Sequence, residues 1–402
     1  MKILYIQQYF KTPREAGSTR SYWISKELLK RGYKVTVVCH ANTLLGQNQK
    51  KIIDRRNVDG IDVIFIRNAY SNNMNALQRM WSFSKFMFLC TFVTLKERNI
   101  NLVFASSTPL TVAFPALLKK WIHNTKFVFE VRDLWPEAPI QLGVIKNKFF
   151  IKFLRWFEQT TYRNAEHIIT LSPGMREGVE RYVPSEKVSM IPNMAKIHEF
   201  WIRERAQAVN EQFGLSNKSF KIVYFGTLGM ANGIDYLIQG ITLIESRNIK
   251  DIEFVFMGEG IKKDDLKLLR EGLSNVKISI LGRQPMENVS KIVNNCDVSV
   301  CTFSDVPILK TNSPNKLFDA LSAGKPTIVN SDGWTKEIVE IYECGIYVDP
   351  KQPEAFVDAV MLFRRDTDMV TRMGQNARLL AESKFDKGIL CRQLADVLEN
   401  EL

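Results

Sequence analysis

The stretch "TNSPNKLFDALSAGKPTIV", residues 311–329, decides the fold because it joins a polar loop, a short helix and an apolar strand without a break. Ser313 suits a helix N-cap, and Pro314 suits the first helical position, where a missing N–H group has no cost. Gly324 is typical of the residue that follows a helix, and Pro326 prevents the helix from continuing. The spacing predicts one helix–strand step of an α/β domain.

The start of this predicted helix has the features of an anion site. The backbone N–H groups of Asn315 and Lys316 lie at the positive end of the helix, which favours phosphates. Asp319 follows about one turn later, so its carboxylate can reach past a phosphate to the hydroxyls of a ribose or a sugar. An ordinary capped helix explains the same residues, and this stretch alone does not decide between the two interpretations.

Short apolar runs alternate with helical segments along the whole chain, which predicts parallel sheets covered on both faces. The pattern starts again near residue 220, so we expect two doubly wound α/β domains facing each other across a cleft. The predicted strands start at Lys2, Lys34, Val63, Leu102, Lys126, His167 and Val188 in the first series and at Lys221, Ile252, Lys277, Asp297, Pro326 and Gly345 in the second.

The 402 residues suit two domains of ordinary size. We expect an N-terminal domain over residues 1–195 and a C-terminal domain over residues 196–385. Residues 386–402 form a last helix that we expect to pack back on the N-terminal domain. The turn at Pro192 and Asn193 is the candidate hinge.

The net charge of +12 comes from the first half of the chain. Residues 1–200 carry 30 Lys and Arg against 15 Asp and Glu, whereas residues 201–402 carry 25 against 28. A one-sided excess of this kind indicates an anionic partner, either nucleic acid or an anionic membrane surface.

The six cysteines form no Cys-x-x-Cys pair, and four histidines do not suggest a zinc site. The first ten residues lack the features of a signal peptide, so we expect a cytoplasmic protein. The sequence "DTD" at residues 366–368 has the spacing of metal-binding carboxylates but lies far from any strand end, and we expect no metal.

The turns that follow the strands are the first place to look for a ligand. In the second half, four of five such turns contain glycine, which suggests a nucleotide-diphosphate site that includes Gly226 and Thr227. In the first half, "EVRDLWPEAPIQLG" (residues 130–143) offers Arg132, Asp133 and Glu137 to an acceptor, with Asp133 as an acid/base candidate. The alternative for Asp133 is a helix cap.

The turn after the first strand, "REAGSTR" (residues 14–20), belongs to the same predicted cleft. We expect Gly17 on the nucleotide side and Arg20 on the acceptor side, where it can meet a phosphate. A solvated surface arginine is the alternative for Arg20.

Two helical stretches, residues 77–98 and 146–159, combine aromatic residues with lysine and arginine. Each is too short or too charged to span a bilayer but suits a helix that lies on a membrane surface. Packing in the core is the alternative. The basic first half favours contact with an anionic membrane through at least one of them.

The whole chain resembles the retaining nucleotide-sugar glycosyltransferases of family 4, which have the GT-B fold. The resemblance is carried by "RDLWPE", "IPN", "FGTLG" and "SPNKLFDALSAGKP". Within that family the chain is similar to bacterial surface-polysaccharide enzymes for O-antigen or capsule, including the N-acetyl-L-fucosamine transferases. It implies a UDP-sugar as donor substrate, no further cofactor, and a polyprenyl-diphosphate-linked saccharide as acceptor.

The resemblance also implies roles for single residues. Asp319 takes the place of an acidic residue that binds the ribose, and Thr311 takes the place of a glutamate that contacts the sugar. Thr227 stands where the family has an arginine that holds the diphosphate, so the positive charge has to come from elsewhere. The candidates are Lys310, Lys316 and Arg283, with Lys316 also counted as catalytic and with help from the Asn315 amide.

From the residues and the resemblance together we expect a metal-independent, retaining transferase on the inner face of the plasma membrane, whose transferred sugar is an N-acetylated hexosamine, with 6-deoxy sugars among the candidates. Two alternatives stay open: a UDP-sugar 2-epimerase of the same fold, and a protein that binds nucleotides or nucleic acid without catalysis. We expect no nucleic-acid partner, since no recognised binding motif is present. The sequence does not predict the oligomeric state.

Overall fold

The computed structural model describes residues 1–15, 17–41, 51–68 and 76–402. The chain forms two compact units. Unit 1 comprises Met1–Pro192 together with Gly388–Leu402, and unit 2 comprises Asn193–Lys387. The division between Pro192 and Asn193 falls at the turn that the sequence suggests as a hinge.

Unit 1 is built on an eight-stranded sheet in the order β3-β4-β2-β1-β5-β6-β7-β8. Every neighbouring pair is parallel except β3 and β4, which form an antiparallel edge that the sequence analysis did not predict. The strands are β1 (Lys2–Gln7), β2 (Lys34–His40), β3 (Ile53–Val58), β4 (Ile61–Ile66), β5 (Leu102–Ser106), β6 (Lys126–Val131), β7 (His167–Thr170) and β8 (Val188–Met190).

The central strands of unit 1 are apolar and fully buried because helices cover the sheet. The rings of Tyr5 on β1 and Phe104 on β5 lie 4.5 Å apart, between centroids, in this core. The helices are α1 (Arg20–Lys30), α2 (Ala76–Lys96), α3 (Ala113–His123), α4 (Glu137–Gln141), α5 (Lys148–Asn164) and α6 (Pro173–Glu180).

Unit 2 has a six-stranded parallel sheet in the order β11-β10-β9-β12-β13-β14. Counted from its own first strand this is the order 3-2-1-4-5-6 of a dinucleotide-binding fold, whose ligand site lies where the order reverses. That point is between β9 and β12. The strands are β9 (Phe220–Phe225), β10 (Ile252–Met257), β11 (Val276–Ile280), β12 (Val298–Cys301), β13 (Thr327–Val329) and β14 (Gly345–Tyr347).

Alternate residues of the unit 2 strands enter two separate apolar clusters, one on each face of the sheet. Ile222 and Phe254 belong to one cluster, whereas Val223 and Val255 belong to the other. Strands buried on both faces are expected to be apolar throughout, as these are. The helices are α7 (Gln207–Phe213), α8 (Ile234–Ser246), α9 (Lys263–Glu271), α10 (Met286–Asn295), α11 (Asn315–Ser322), α12 (Trp334–Ile341), α13 (Pro353–Arg365) and α14 (Thr367–Leu380).

Helix α11 begins one residue later than predicted. Pro314 occupies the cap position with extended φ and ψ of −78° and 126°, so Ser313 is not the N-cap. Ser313 is instead buried against Asn193, whose side-chain amide donates to the Ser313 carbonyl oxygen. The end of the helix is as predicted, since Gly324 has a φ of +63° that favours glycine.

The last helix, α15 (Lys387–Asn400), belongs to unit 1 from Gly388 onward. Its inward side buries Leu394 and Leu398. Arg31, at the end of α1, forms ion pairs with α15: the Arg31 Nη1 lies 2.7 Å from both Asp396 Oδ1 and Glu399 Oε2. The chain therefore enters unit 2 once and returns to complete unit 1.

Within the ranges that the structure describes, no helix combines the length and the apolar character that crossing a bilayer requires. Asp366 of the "DTD" sequence caps α14 by accepting a hydrogen bond from the Met369 N–H.

Candidate active site

The loops after β9 and β10 are held together by backbone contacts at the point where the strand order of unit 2 reverses. The Gly226 N–H donates to the Met257 carbonyl oxygen at 2.9 Å, and the Leu228 N–H donates to that of Glu259 at 2.9 Å. A Cβ atom on Gly258 would lie 1.8 Å from the Gly226 carbonyl oxygen, so only glycine fits there. Thr227 is exposed next to this contact.

Lys316, in the first turn of α11, is held above the carboxyl end of β9 by aromatic side chains. Its Nζ lies 3.1 Å from the Tyr224 hydroxyl, 4.3 Å from the centroid of the Tyr224 ring and 5.4 Å from that of Phe303. The Tyr224 hydroxyl donates in turn to the Thr227 carbonyl oxygen at 2.6 Å. Among the described residues, no carboxylate lies within ion-pair distance of Lys316, so its charge is positioned but not neutralised.

Asp319 lies one turn further along α11 and is buried, with 7% of its surface exposed. The Lys196 Nζ lies 3.0 Å from its Oδ1. Burial raises the pKa of Asp319 to about 6, Lys196 lowers it, and Glu199 raises it. Lys196 could not be predicted as a site residue, because this contact joins residues that are distant along the chain.

The other residues of unit 2 that the sequence predicted for the site differ in their contacts and in their positions relative to β9. Asn315 is the first residue of α11, next to Lys316. The Thr311 hydroxyl donates a hydrogen bond to the Ile308 carbonyl oxygen at 2.8 Å. Lys310 is exposed, and its Nζ lies 3.7 Å from Asp332 Oδ2, which offsets its charge. Arg283 follows β11, the edge strand, and so lies two strands away from β9.

A second group of polar residues gathers in unit 1 at the carboxyl ends of β5 and β6, next to β1. The Thr108 hydroxyl donates to Asp133 Oδ2 at 2.7 Å. The Arg132 backbone N–H donates to the Ser107 hydroxyl at 2.9 Å, and its Nη2 donates to the Ser18 hydroxyl at 3.1 Å. Burial raises the pKa of Asp133, while the Thr108 hydrogen bond and Arg132 lower it. Asp133 is not a helix cap.

Arg20 does not join this group as the sequence analysis expected. It is buried, its Nε lies 2.8 Å from Glu130 Oε1, and both its terminal nitrogens donate to the carbonyl oxygens of Ile191 and Pro192. These contacts give Arg20 a structural role where β8 ends, and they offer no support for a phosphate contact.

Glu137 and Gly17 complete the predicted set in unit 1. Glu137 is engaged by Arg155 on α5, whose Nη2 lies 2.7 Å from its Oε1, so it is tied to that helix. Gly17 is exposed with a φ of +120°, a conformation that favours glycine. Across residues 1–15, 17–41, 51–68 and 76–402, no group of three His, Cys, Asp or Glu side chains is suited to a metal ion.

Two family models match the two units almost end to end. Residues 16–194 match "Glycosyl transferase 4-like domain", and residues 206–380 match "Glycosyl transferases group 1". Together they account for most of the chain.

Curated relatives are more distant. The chain is 22% identical over 251 residues to an alpha-D-kanosaminyltransferase of Streptomyces kanamyceticus, with 60% of this chain and 62% of the relative covered. It is 26% identical over 206 residues to the UDP-Gal:alpha-D-GlcNAc-diphosphoundecaprenol alpha-1,3-galactosyltransferase of Escherichia coli, with half of each chain covered. The chain thus spans less than two thirds of the length of these relatives.

A solved structure from Anabaena, that of Alr3699/HepE in complex with UDP-glucose, has the same fold. It superposes with a TM-score of 0.73 at 19% identity, and the match covers 100% of both chains. At this identity the likeness establishes the fold alone.

Proposed function

We propose, from the premise that this chain belongs to the GT-B glycosyltransferases that resemble family 4, that it transfers a sugar from a UDP-sugar. The proposed acceptor is a polyprenyl-diphosphate-linked saccharide, and the transfer retains the configuration at the anomeric carbon. The observation that carries the proposal is Lys316, a cation without a carboxylate partner among the described residues, held where the strand order of unit 2 reverses.

Departure of UDP leaves negative charge on the diphosphate as the glycosidic bond breaks. A lysine fixed beforehand by Tyr224 and Phe303 stabilises that charge without having to reorganise. The N–H groups of Asn315 and Lys316, which have no acceptor within the helix because they lie in its first turn, act in the same direction. Because this interaction strengthens as the bond breaks, it lowers the barrier more than it improves substrate binding.

The donor and the acceptor are inferred from the relatives. The named Escherichia coli enzyme takes UDP-Gal and a diphosphoundecaprenol-linked GlcNAc, and the Anabaena structure holds UDP-glucose. We assign the acceptor to unit 1, with Asp133 and Arg132 orienting its hydroxyl group. The transferred sugar is proposed to be an N-acetylated hexosamine of surface-polysaccharide synthesis, and no protein nucleophile or metal takes part.

The test is transfer of label from UDP-sugars to a lipid-linked saccharide, followed by analysis of the anomeric configuration. Lys316→Ala is expected to lower turnover on the order of 100-fold. Lys310→Ala should lower it less, because Asp332 already offsets that charge. The matched control is Lys267→Ala on α9, which removes a lysine from an exposed ion pair and should leave turnover unchanged.

The alternatives give different products. Isomerisation of the UDP-sugar without an acceptor would identify a 2-epimerase, and nucleotide binding without either reaction would identify a binding protein. Either result would contradict the proposed transfer.

The lipid-linked acceptor requires a membrane, and unit 1 carries a surface suited to one. We call it the aromatic face, defined by exposed residues on α2 (Trp81, Phe88, Phe92), α3 (Trp121) and α5 (Phe149, Phe153, Trp156). Helix α3 packs against both α2 and α5. Phe149 is 88% exposed and Trp81 is 74% exposed, which is costly in water and favourable at a lipid interface.

Basic residues accompany these aromatic side chains. Exposed Lys148 and Lys152 flank the aromatic residues of α5, where Arg155 is already paired with Glu137, and exposed Lys85 lies between Trp81 and Phe88 on α2. Each basic residue near an anionic surface contributes about 1 kcal/mol. The opposite side of both helices is core, since Phe86 and Phe157 are buried. We therefore propose that unit 1 docks on the anionic inner leaflet through the aromatic face.

Co-sedimentation with vesicles tests the docking. Wild-type protein is expected to bind vesicles containing anionic lipid, to bind neutral vesicles much less, and to be released by salt. Replacing Phe149, Phe153 and Trp156 together with serine should weaken binding strongly while the protein stays folded, because each of these side chains is more than half exposed. The control is Trp201→Ser in unit 2, where the tryptophan is similarly exposed at 51%. Vesicle binding at the wild-type level in the triple variant would exclude α5 as the docking helix.

A further inference from the structure

Lys196 is a buried cation that lies against the predicted nucleotide-binding carboxylate of unit 2. Only 4% of Lys196 is exposed, and its Nζ lies 3.0 Å from Asp319 Oδ1 and 5.4 Å from the centroid of the Phe200 ring. The backbone before it is fixed, because the Ala195 N–H donates to the Phe385 carbonyl oxygen at 2.7 Å. The ammonium group is therefore held in one place.

The two oxygens of Asp319 differ in what they contact. Lys196 lies within ion-pair distance of Oδ1, which is buried and accepts no well-aligned hydrogen bond, and within the described part of the chain no donor contacts Oδ2. Oδ1 thus faces the charge of Lys196, and Oδ2 keeps its acceptor capacity for a hydroxyl group. This asymmetry suits a carboxylate that binds a ribose better than one that serves only the fold.

Other charged groups near Asp319 do not replace Lys196. Glu199 opposes ionisation of Asp319 and is itself paired with Lys387. Arg378 directs its Nη1 to the carbonyl oxygens of Ser322, Ile197 and Phe200. Lys316, on the same helix, contacts the Tyr224 hydroxyl. Among the described residues, Lys196 is the one basic side chain within ion-pair distance of Asp319.

We infer that Lys196 is a positioning residue that keeps Asp319 ionised, so that its free oxygen can accept a charge-assisted hydrogen bond from the nucleotide ribose. The inference rests on the proposed function, because it assumes that unit 2 binds UDP. A purely structural ion pair would not affect UDP binding, whereas the proposed role of Lys196 makes the affinity for UDP depend on pH through Asp319.

The direction of the pH effect follows from the groups involved. Burial alone favours the neutral acid, and the pKa of Asp319 is about 6 with Lys196 in place. Without Lys196 the pKa of Asp319 rises further, so that a smaller fraction of the group is ionised near neutral pH. A hydrogen bond to a neutral acid is weaker than one to a carboxylate, and we expect a loss of roughly tenfold in affinity.

The experiment measures the dissociation constant of UDP by calorimetry from pH 5 to pH 9. Wild type should lose affinity as the pH falls below about 6. Lys196→Met should bind roughly tenfold more weakly at pH 7.5 and recover towards pH 9. Asp319→Asn should bind UDP weakly at every pH. Because this variant has no carboxyl group at position 319, its remaining pH dependence measures the titration of UDP itself, which is subtracted from the profiles of the other variants. Lys196→Arg should resemble wild type.

The double variant Lys196→Met, Asp319→Asn keeps the test valid if Lys196→Met does not fold, because it removes both buried charges. Its affinity should equal that of Asp319→Asn alone, since Lys196 acts only through Asp319. A double variant that binds much more weakly would overturn the inference.

Two further outcomes separate the inference from the proposed function. If Asp319→Asn binds UDP weakly but Lys196→Met keeps the wild-type pH profile, Lys196 has no such role and the nucleotide site stands. If Asp319→Asn binds UDP as tightly as wild type, the ribose contact is wrong and the inference fails with it.

Discussion

Glu158 carries a carboxyl group on the buried side of α5, where only 4% of the residue is exposed. The Tyr162 hydroxyl donates to its Oε1 at 3.0 Å. Burial raises the pKa of Glu158 from 4.5 to about 7, and the Tyr162 hydrogen bond lowers it only in part. A folded-state pKa above the unfolded value means that the folded chain holds the proton more tightly.

The stability of unit 1 should therefore fall as the pH rises from about 4.5 to about 7, and the loss should stay constant above that. Glu158→Gln removes the ionisation, so at pH 8 we expect the variant to be more stable than wild type by up to about 3 kcal/mol. At pH 4.5 the advantage should disappear. Urea denaturation at both pH values measures this difference in the free energy of unfolding.

Glu177→Gln is the matched control, because Glu177 is exposed on α6. It should change the stability equally little at both pH values. A Glu158→Gln variant that is less stable than wild type at pH 8 would contradict the assignment of a buried, costly carboxylate.

At the scale of elements, the strand-end loops of unit 2 depend on backbone contact that tolerates no side chain. Gly258 has a φ of +156°, and a Cβ atom there would collide with the Gly226 carbonyl oxygen. Gly258→Ala should lower the free energy of unfolding by roughly 3 kcal/mol and weaken UDP binding, because the loop after β9 has to move.

Gly272→Ala provides the comparison for Gly258→Ala. Gly272 ends α9, and the nearest atom to an added Cβ would be the Leu269 carbonyl oxygen at 3.6 Å, which is ordinary contact. Thermal denaturation of the two variants with and without UDP measures both effects. Equal stability of the two variants would show that the contact between the two loops can relax.

The sequence predicted most elements because their signals are local. All thirteen predicted strands are present, since buried parallel strands are apolar throughout. The strand that was missed, β3, reads "IDRRNV" and pairs with one neighbour at the sheet edge, so its side chains are largely polar. The one-residue error at the start of α11 has a different cause: Ser313 contacts Asn193, a partner that no local spacing reveals.

The same distinction applies to the candidate site. Lys316, Asn315 and Gly226 were predictable because they follow strand ends or begin a helix. Tyr224 and Lys196, which hold Lys316 and Asp319 in place, come from other parts of the chain, so only the folded structure brings them together. Arg20 resembled a ligand-binding arginine in sequence, and its partner Glu130 lies 110 residues away.

At the scale of the whole molecule, unit 1 depends on the last helix of the chain. Leu394 is fully buried in α15, so Leu394→Ala should lower the free energy of unfolding by roughly 2 to 5 kcal/mol. Leu379→Ala on α14 is the matched control, because that leucine is 62% exposed and should cost little. Denaturation followed by circular dichroism measures both, and equal effects would place α15 outside the cooperative core.

The return of the chain to unit 1 has a consequence for synthesis on the ribosome. Domains usually fold in the order in which they are made. Unit 2 is continuous, so it can close its core as soon as Lys387 has emerged. Unit 1 starts first but lacks Gly388–Leu402 until those residues have been synthesised, and until then the surface that α15 covers is open to water or to chaperones. A released chain that ends at Lys387 would therefore hold a complete unit 2 and an incomplete unit 1.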